Sequence, residues 1–167
     1  MGLERARAEA REIEGEKRAV KALVAGMFGE DAELRKRSAD VARRITEVDA
    51  APLFRHADEL MGLLAELSLE ESRTRWHLGL VVARVAHTRE QRLRAARLME
   101  QLMEDESNVA RCLAIEGMGL LAGEEASLRG VAEEMVERAL REGTPAMRSR
   151  ARHVRRQWVK AERRKDG

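Results

Sequence analysis

Arg73-Thr74-Arg75-Trp76-His77-Leu78-Gly79-Leu80-Val81-Val82-Ala83-Arg84-Val85-Ala86 is the stretch that decides the fold. An Arg-x-Arg opens it, one bulky residue follows, and small and aliphatic residues close it. Versions of it recur as Arg35-Lys36-Arg37-Ser38-Ala39, Val109-Ala110-Arg111-Cys112-Leu113 and Arg148-Ser149-Arg150-Ala151-Arg152. Aligned on Arg37, Arg75, Arg111 and Arg150, the copies are spaced 36 to 39 residues apart. Self-similarity at such a period marks stacked supersecondary units, and it outweighs any catalytic pattern in the chain.

Composition agrees with a helical stack. Charged residues make up 37% of the 167, with abundant Ala, Leu, Glu and Arg, whereas aromatics are 2% and Tyr is absent. Residues that favour strands are therefore scarce, and an all-α chain is expected. The length suits one domain that buries its own core without metal or disulfide staples. The single Cys112 excludes an internal disulfide and fits a reducing, cytoplasmic setting. The segment from Leu3 to Arg18 is too rich in Glu and Arg for a signal peptide, and no apolar run approaches a membrane span.

Apolar spacing and caps divide the chain into 1–29 as an N-terminal capping helix, helix pairs at 30–68, 69–105 and 106–143, and a basic C-terminal capping helix at 144–167. The first segment reads as a helix over 3–28, unbroken or interrupted near Gly15, with Ile13, Val20, Leu23, Val24 and Met27 inward and its first ten residues frayed. Gly26 and Gly29 are expected to stop it. Asp31 caps a helix at 32–48 whose buried stripe would be Leu34, Ser38, Val41, Ala42, Ile45 and Val48. Asp49, Thr88, Ser107 and Thr144-Pro145 open the helices at about 50–67, 89–104, 108–122 and 145–164, with further helices at about 70–86 and 125–142. Each pair has an apolar face too large to bury alone, so the pairs stack side by side.

The text Leu34-Arg35-Lys36-Arg37-Ser38-Ala39, Ser72-Arg73-Thr74-Arg75-Trp76-His77-Leu78, Asn108-Val109-Ala110-Arg111-Cys112-Leu113 and Ala146-Met147-Arg148-Ser149-Arg150-Ala151 resembles the HEAT repeat family and the related armadillo repeats. The likeness covers about residues 30–158. It implies a right-handed α–α superhelix, a solenoid of HEAT-like helix pairs closed by capping helices. It also implies a scaffold that binds proteins along a curved surface lined by the second helix of each pair. Tetratricopeptide repeats share the period, but their Trp-Leu-Gly-Tyr pattern is absent here. HEAT-like DNA glycosylases use a Trp and Asp constellation, and Asp40 and Trp76, which lie in different repeats, match no such motif.

The repeated arginines Arg37, Arg75, Arg111 and Arg150 read first as a ladder bonding carbonyl ends or acids of the neighbouring layer. In Arg35/Arg37, Arg73/Arg75 and Arg148/Arg150 one member would face the ladder and the other solvent. Trp76 takes the place that Ser38, Cys112 and Ala151 fill elsewhere, with Gly79 expected to receive it. Residues 144–167 hold nine Lys or Arg against two acids, a local charge of +7 in a chain of net +2. On that helix Met147, Ala151, Val154, Trp158 and Ala161 form a docking stripe. Arg148, Arg152, Arg155, Arg156, Lys160 and Arg163, followed by Arg164 and Lys165, form a patch for phosphates or an acidic partner.

His56, His77, His87 and His153 are dispersed, and only His56 with Glu59 lie one turn apart, so no metal site is expected. Gly117-Met118-Gly119 reads as close helix packing rather than a phosphate loop. Met61, Met99, Met103 and Met135 are core fillers or an adaptable groove. Catalytic chemistry finds no support, and no cofactor or small-molecule ligand is expected. The expected function is a non-enzymatic protein-interaction scaffold, with the outward residues of the second helices as the partner surface: Arg55, His56, Glu59, Arg92, Arg94, Arg97, Arg129, Glu133 and Glu137. Nucleic acid held by the basic C-terminal helix is the alternative, and a glycosylase-type activity has only fold analogy behind it.

Overall fold

A computed structural model describes residues 2–165, with side chains described over 15–164. The inward placement of Ile13, the fraying of the first ten residues and the side chain of Lys165 lie outside what is described. The described chain is all-helical: α1 (Gly2–Phe28), α2 (Ala32–Val48), α3 (Ala57–Glu66), α4 (Ser72–Val85), α5 (Arg89–Met103), α6 (Asn108–Glu124), α7 (Arg129–Glu142) and α8 (Pro145–Lys165). Short 3-10 turns at Ala51–His56, Leu69–Glu71 and Ala126–Leu128 lead into α3, α4 and α7.

Local chemistry sets these boundaries. Asp31 accepts from the N–H groups of Glu33 and Leu34 at 2.9 and 3.2 Å and starts α2. Thr88 and Gln91 form a reciprocal capping box on α5. Ser107 caps α6, and Thr144 accepts from the Met147 N–H at the start of α8. Asp49 ends α2 as its C-cap, and its side chain accepts from the N–H of Ala51, the first residue of the 3-10 turn before α3. Pro52 stands in the first turn of that 3-10 segment, where its missing N–H costs nothing.

The first helices α2, α4, α6 and α8 pack in sequence, each on the next. Of the other helices, α1 lies against α2, α5 against α6 and α7 against α8, while α3 touches both α4 and α5. The core runs through the middle of the row, with Leu53, Leu60, Leu78, Val81, Val82, Met99, Leu102, Ile115, Met118 and Leu121 removed from solvent. Close approach depends on glycine. A Cβ on Gly117 would stand 2.5 Å from Met99 Sδ and 3.3 Å from Ala83 Cβ, and one on Gly119 would stand 2.6 Å from Val154.

Three sequence expectations need correction. Gly26 is no helix stop: it lies inside α1, where a Cβ would stand 2.3 Å from Ser38 Oγ, so it admits α2. Leu34, Val41 and Val48 are exposed at 49, 45 and 90%. Helical spacing placed them on a flank of α2 that no neighbouring helix covers, and the buried positions are Ser38, Ala39, Ala42 and Thr46. Gly79 does not receive Trp76; the space above it is taken by Leu102, 2.8 Å from a Cβ built there.

Candidate interaction surfaces

The arginine register is set from the helix caps. Arg35, Arg75, Arg111 and Arg148 are each the fourth residue of α2, α4, α6 and α8. Three of them reach back to the end of the preceding helix. Arg35 donates to the Gly29 carbonyl, Arg75 to the Leu67 carbonyl at 3.0 Å and Arg148 to the Gly143 carbonyl. Two of them also reach an acid of the next layer: Arg35 Nε to Glu71 at 2.8 Å and Arg75 Nε to Asp105 at 3.2 Å. Arg111 stands at the same position, but its Nε is buried with no partner. The first rung is therefore Arg35, while Arg37 is exposed. In the last helix Arg148 takes the rung, and Arg150 pairs with Glu116 of α6 at 2.7 Å.

In this register Trp76 aligns with Lys36, Cys112 and Ser149. Trp76 Nε1 and His77 Nδ1 are both buried without a hydrogen-bond partner. Asp40 Oδ1 is 3.6 Å from His77 Nδ1, within ion-pair range but long for a hydrogen bond. Burial holds the His77 imidazolium below its ordinary pKa against the pull of Asp40. Burial pushes the Asp40 carboxyl up, but Arg43, His77 and Arg44 together outweigh it and hold the group below the usual carboxylate range. Cys112 is buried among apolar residues, and burial pushes its thiol up.

The nine residues expected on the partner surface fall into three places. Arg55, His56 and Glu59 surround the start of α3, with His56 Nδ1 3.5 Å from Glu59. Arg94 and Arg97 are exposed on α5, and Arg94 reaches Asp58 of α3 at 3.4 Å. Arg92 is half-buried in a cleft away from them. Arg129, Glu133 and Glu137 belong to the seam between α7 and α8. Arg129 bonds Glu133 at 2.7 Å and Glu162 at 2.9 Å and lies 4.1 Å over the Trp158 ring, while Glu137 pairs with Arg155. The contacts of Arg129 with Glu162 and Trp158, and of Glu137 with Arg155, join α7 to α8.

Two surfaces remain. One is a groove of about 230 Å³ between α5 and α7. Met103, Met135 and the exposed Val131 form its floor, and Glu100, Glu104, Glu134 and Arg138 its rim. Arg138 bonds Glu104 at 2.6 Å and holds its carboxyl below the usual range. Of the four methionines considered, Met61 and Met99 are fully buried and only Met103 and Met135 reach this groove.

The other surface is the outer side of α8. Met147, Ala151, Val154 and Trp158 are buried, and Trp158 Nε1 donates to the Gly119 carbonyl at 3.2 Å. Arg152, Arg156, Lys160 and Arg163 point the opposite way and are exposed. The helix's single carboxylate, Glu162, is engaged on the docked side with Arg129. The outer stripe therefore carries cations about 6 Å apart along the axis with no acid among them.

Among the described residues no cluster of His, Cys, Asp and Glu is placed to hold a metal, and no helix is long and apolar enough to cross a membrane. No protein-family model, curated protein or solved structure matches this chain.

Proposed function

We propose that this chain is a short HEAT-like α-solenoid of stacked helix pairs that works as a non-enzymatic protein-interaction module. The arginine recurring at the fourth position of each first helix supports the repeat reading. The observation that carries the function is the groove between α5 and α7, with methionine edges on its floor and three glutamates on its rim, one of them paired with Arg138. Methionine adapts its shape to an apolar side chain, and the acids select positive charge around it. The partner segment is a basic amphipathic helix of another protein, laid along the second-helix face.

The test is fluorescence anisotropy with a labelled amphipathic helical peptide bearing Lys and Leu, against a Glu-substituted control. Binding of the basic peptide alone, weakened at least tenfold by Glu100→Lys with Glu134→Lys, is expected. Equal affinity for both peptides, or no effect of the reversals, removes the groove from the reading.

A second reading rests on α8. Arg152, Arg156, Lys160 and Arg163 form an unpaired cationic stripe suited to a nucleic-acid backbone. Four phosphate contacts give a slope of roughly −3.6 in log K against log salt on duplex DNA, reduced by about one for each residue neutralised. A slope near zero, or one unchanged in Arg152→Gln with Arg156→Gln, rules this reading out.

A further inference from the structure

The cleft where the C-terminal turns of α2, α4 and α6 meet the 3-10 turn before α3 and the start of α5 has a volume of about 310 Å³. That is the lower end of the range for small-molecule sites, roughly 300–1,000 Å³. Two arginines line it. Arg92 Nε is buried and has no partner. Arg84 is half-buried and is fixed by one bond, from Nη1 to the Arg43 carbonyl at 3.0 Å, an oxygen that also accepts from Thr46. Burial pushes the Arg84 guanidinium down from its ordinary pKa, against the pull of Glu116 and Glu47. A buried donor of a charged group without an acceptor is costly, and Arg92, which carries it, lines the same cleft as Arg84.

Much of the remaining wall is apolar or aromatic. Phe54 and His87 stack with ring centroids 4.7 Å apart and planes 17° from parallel. Leu121 and the exposed Leu120 also line the cleft. Glu124 is the carboxylate that lines the cleft itself. We propose that this cleft binds a small monocarboxylic acid with a planar or branched apolar body, its carboxylate between Arg84 and Arg92 and its body against Phe54, His87 and Leu120. Guanidinium groups suit a carboxylate through parallel N–H donors, and the stacked pair offers a face to a ring. This site is independent of the peptide groove and of the α8 stripe.

The experiment is an NMR titration of the whole chain with phenylacetate at fixed ionic strength, with phenylacetamide and acetate as controls. Phenylacetate is expected to give saturable shifts at residues of the cleft with Kd on the order of 1 mM, and Arg92→Met to weaken it at least tenfold. Glu124→Gln, which removes the carboxylate lining the cleft, is expected to tighten binding. Absence of saturation up to about 20 mM, equal binding of phenylacetamide or acetate, an unchanged affinity in Arg92→Met, or no gain in Glu124→Gln overturns the assignment.

Discussion

Replacing Arg75 with Met tests whether the arginine register holds the helices together. Arg75 and its partner Asp105 retain only 12 and 7% side-chain exposure. Arg75 spends Nε and Nη2 on Asp105 at 3.2 Å and Nη1 on the Leu67 carbonyl at 3.0 Å. Met preserves the apolar stem but strands the carboxylate, which keeps only the Ser107 N–H at 2.8 Å, and leaves the Leu67 carbonyl without this donor. Removing one partner of a buried pair costs about 3–5 kcal/mol, and the residual exposure and the Ser107 bond place this case near about 3 kcal/mol. In a domain this size that lowers Tm by roughly 6–12 °C. The comparison is Arg94→Met, whose pair with Asp58 is 47 and 66% exposed and is worth about 0.2–1 kcal/mol. Urea unfolding of both variants and of Arg75→Met/Asp105→Asn is the assay. The double variant removes the stranded charge and should recover about 1 kcal/mol or more of the loss. An Arg75→Met cost no larger than that of Arg94→Met refutes the structural role of the register.

Arg111→Met at the equivalent position should leave stability within about 1 kcal/mol of wild type, because its Nε has no partner to lose; urea midpoints check it. His77 gives a pH dependence. Its folded pKa lies below the ordinary 6.5, so the unfolded chain binds the proton more readily and stability is full above that value and falls as pH drops toward the folded one. The urea midpoint should therefore decline from about pH 7.5 to 5.5, and His77→Gln should flatten that part of the decline; an identical slope in the variant counts against it. Gly143→Ala brings a Cβ to 2.3 Å from the Ala139 carbonyl oxygen and should cost about 1–3 kcal/mol, whereas Gly130→Ala meets nothing within 4 Å and should be neutral or stabilising by up to about 1 kcal/mol in thermal melts.

Helix positions were legible because caps are local. Asp31, Thr88, Ser107 and Thr144 announce α2, α5, α6 and α8, and the side chains bond the N–H groups that their positions imply. The register was not, because every Arg-x-Arg offers two arginines and similarity to Ser38-Ala39 favoured Arg37. Counting four residues from each cap singles out Arg35, Arg111 and Arg148 and needs no alignment. Leu34, Val41 and Val48 show a different limit: periodicity reports that a flank is apolar, not that a helix covers it. The groove was legible only in Met103 and Met135, and the cleft only in Arg92, for a third reason. Met103 meets Val131 and Met135, and Arg92 meets Arg84 and Leu120, only once separate helices are packed.

The way α8 is fastened bears on what its charge is for. Between the earlier layers an arginine meets an acid just ahead of the next first helix, Glu71 or Asp105. Ahead of α8 stands Thr144, which bonds Asn108 at 2.7 Å, and Arg111 is left without an acid for its Nε. The last joint is made instead by Arg148 on the Gly143 carbonyl, Arg150 on Glu116, and Trp158, which is clamped between the Gly119 carbonyl and the Arg129 guanidinium. Met147, Ala151 and Val154 complete the contact. Every group needed to dock the helix is thus on one side. Arg152, Arg156, Lys160 and Arg163 contribute to none of it, and cations this close repel one another. Their charge therefore favours solubility or an anionic partner rather than the fold, and a salt series separates the two, since only a partner makes binding fall steeply with ionic strength.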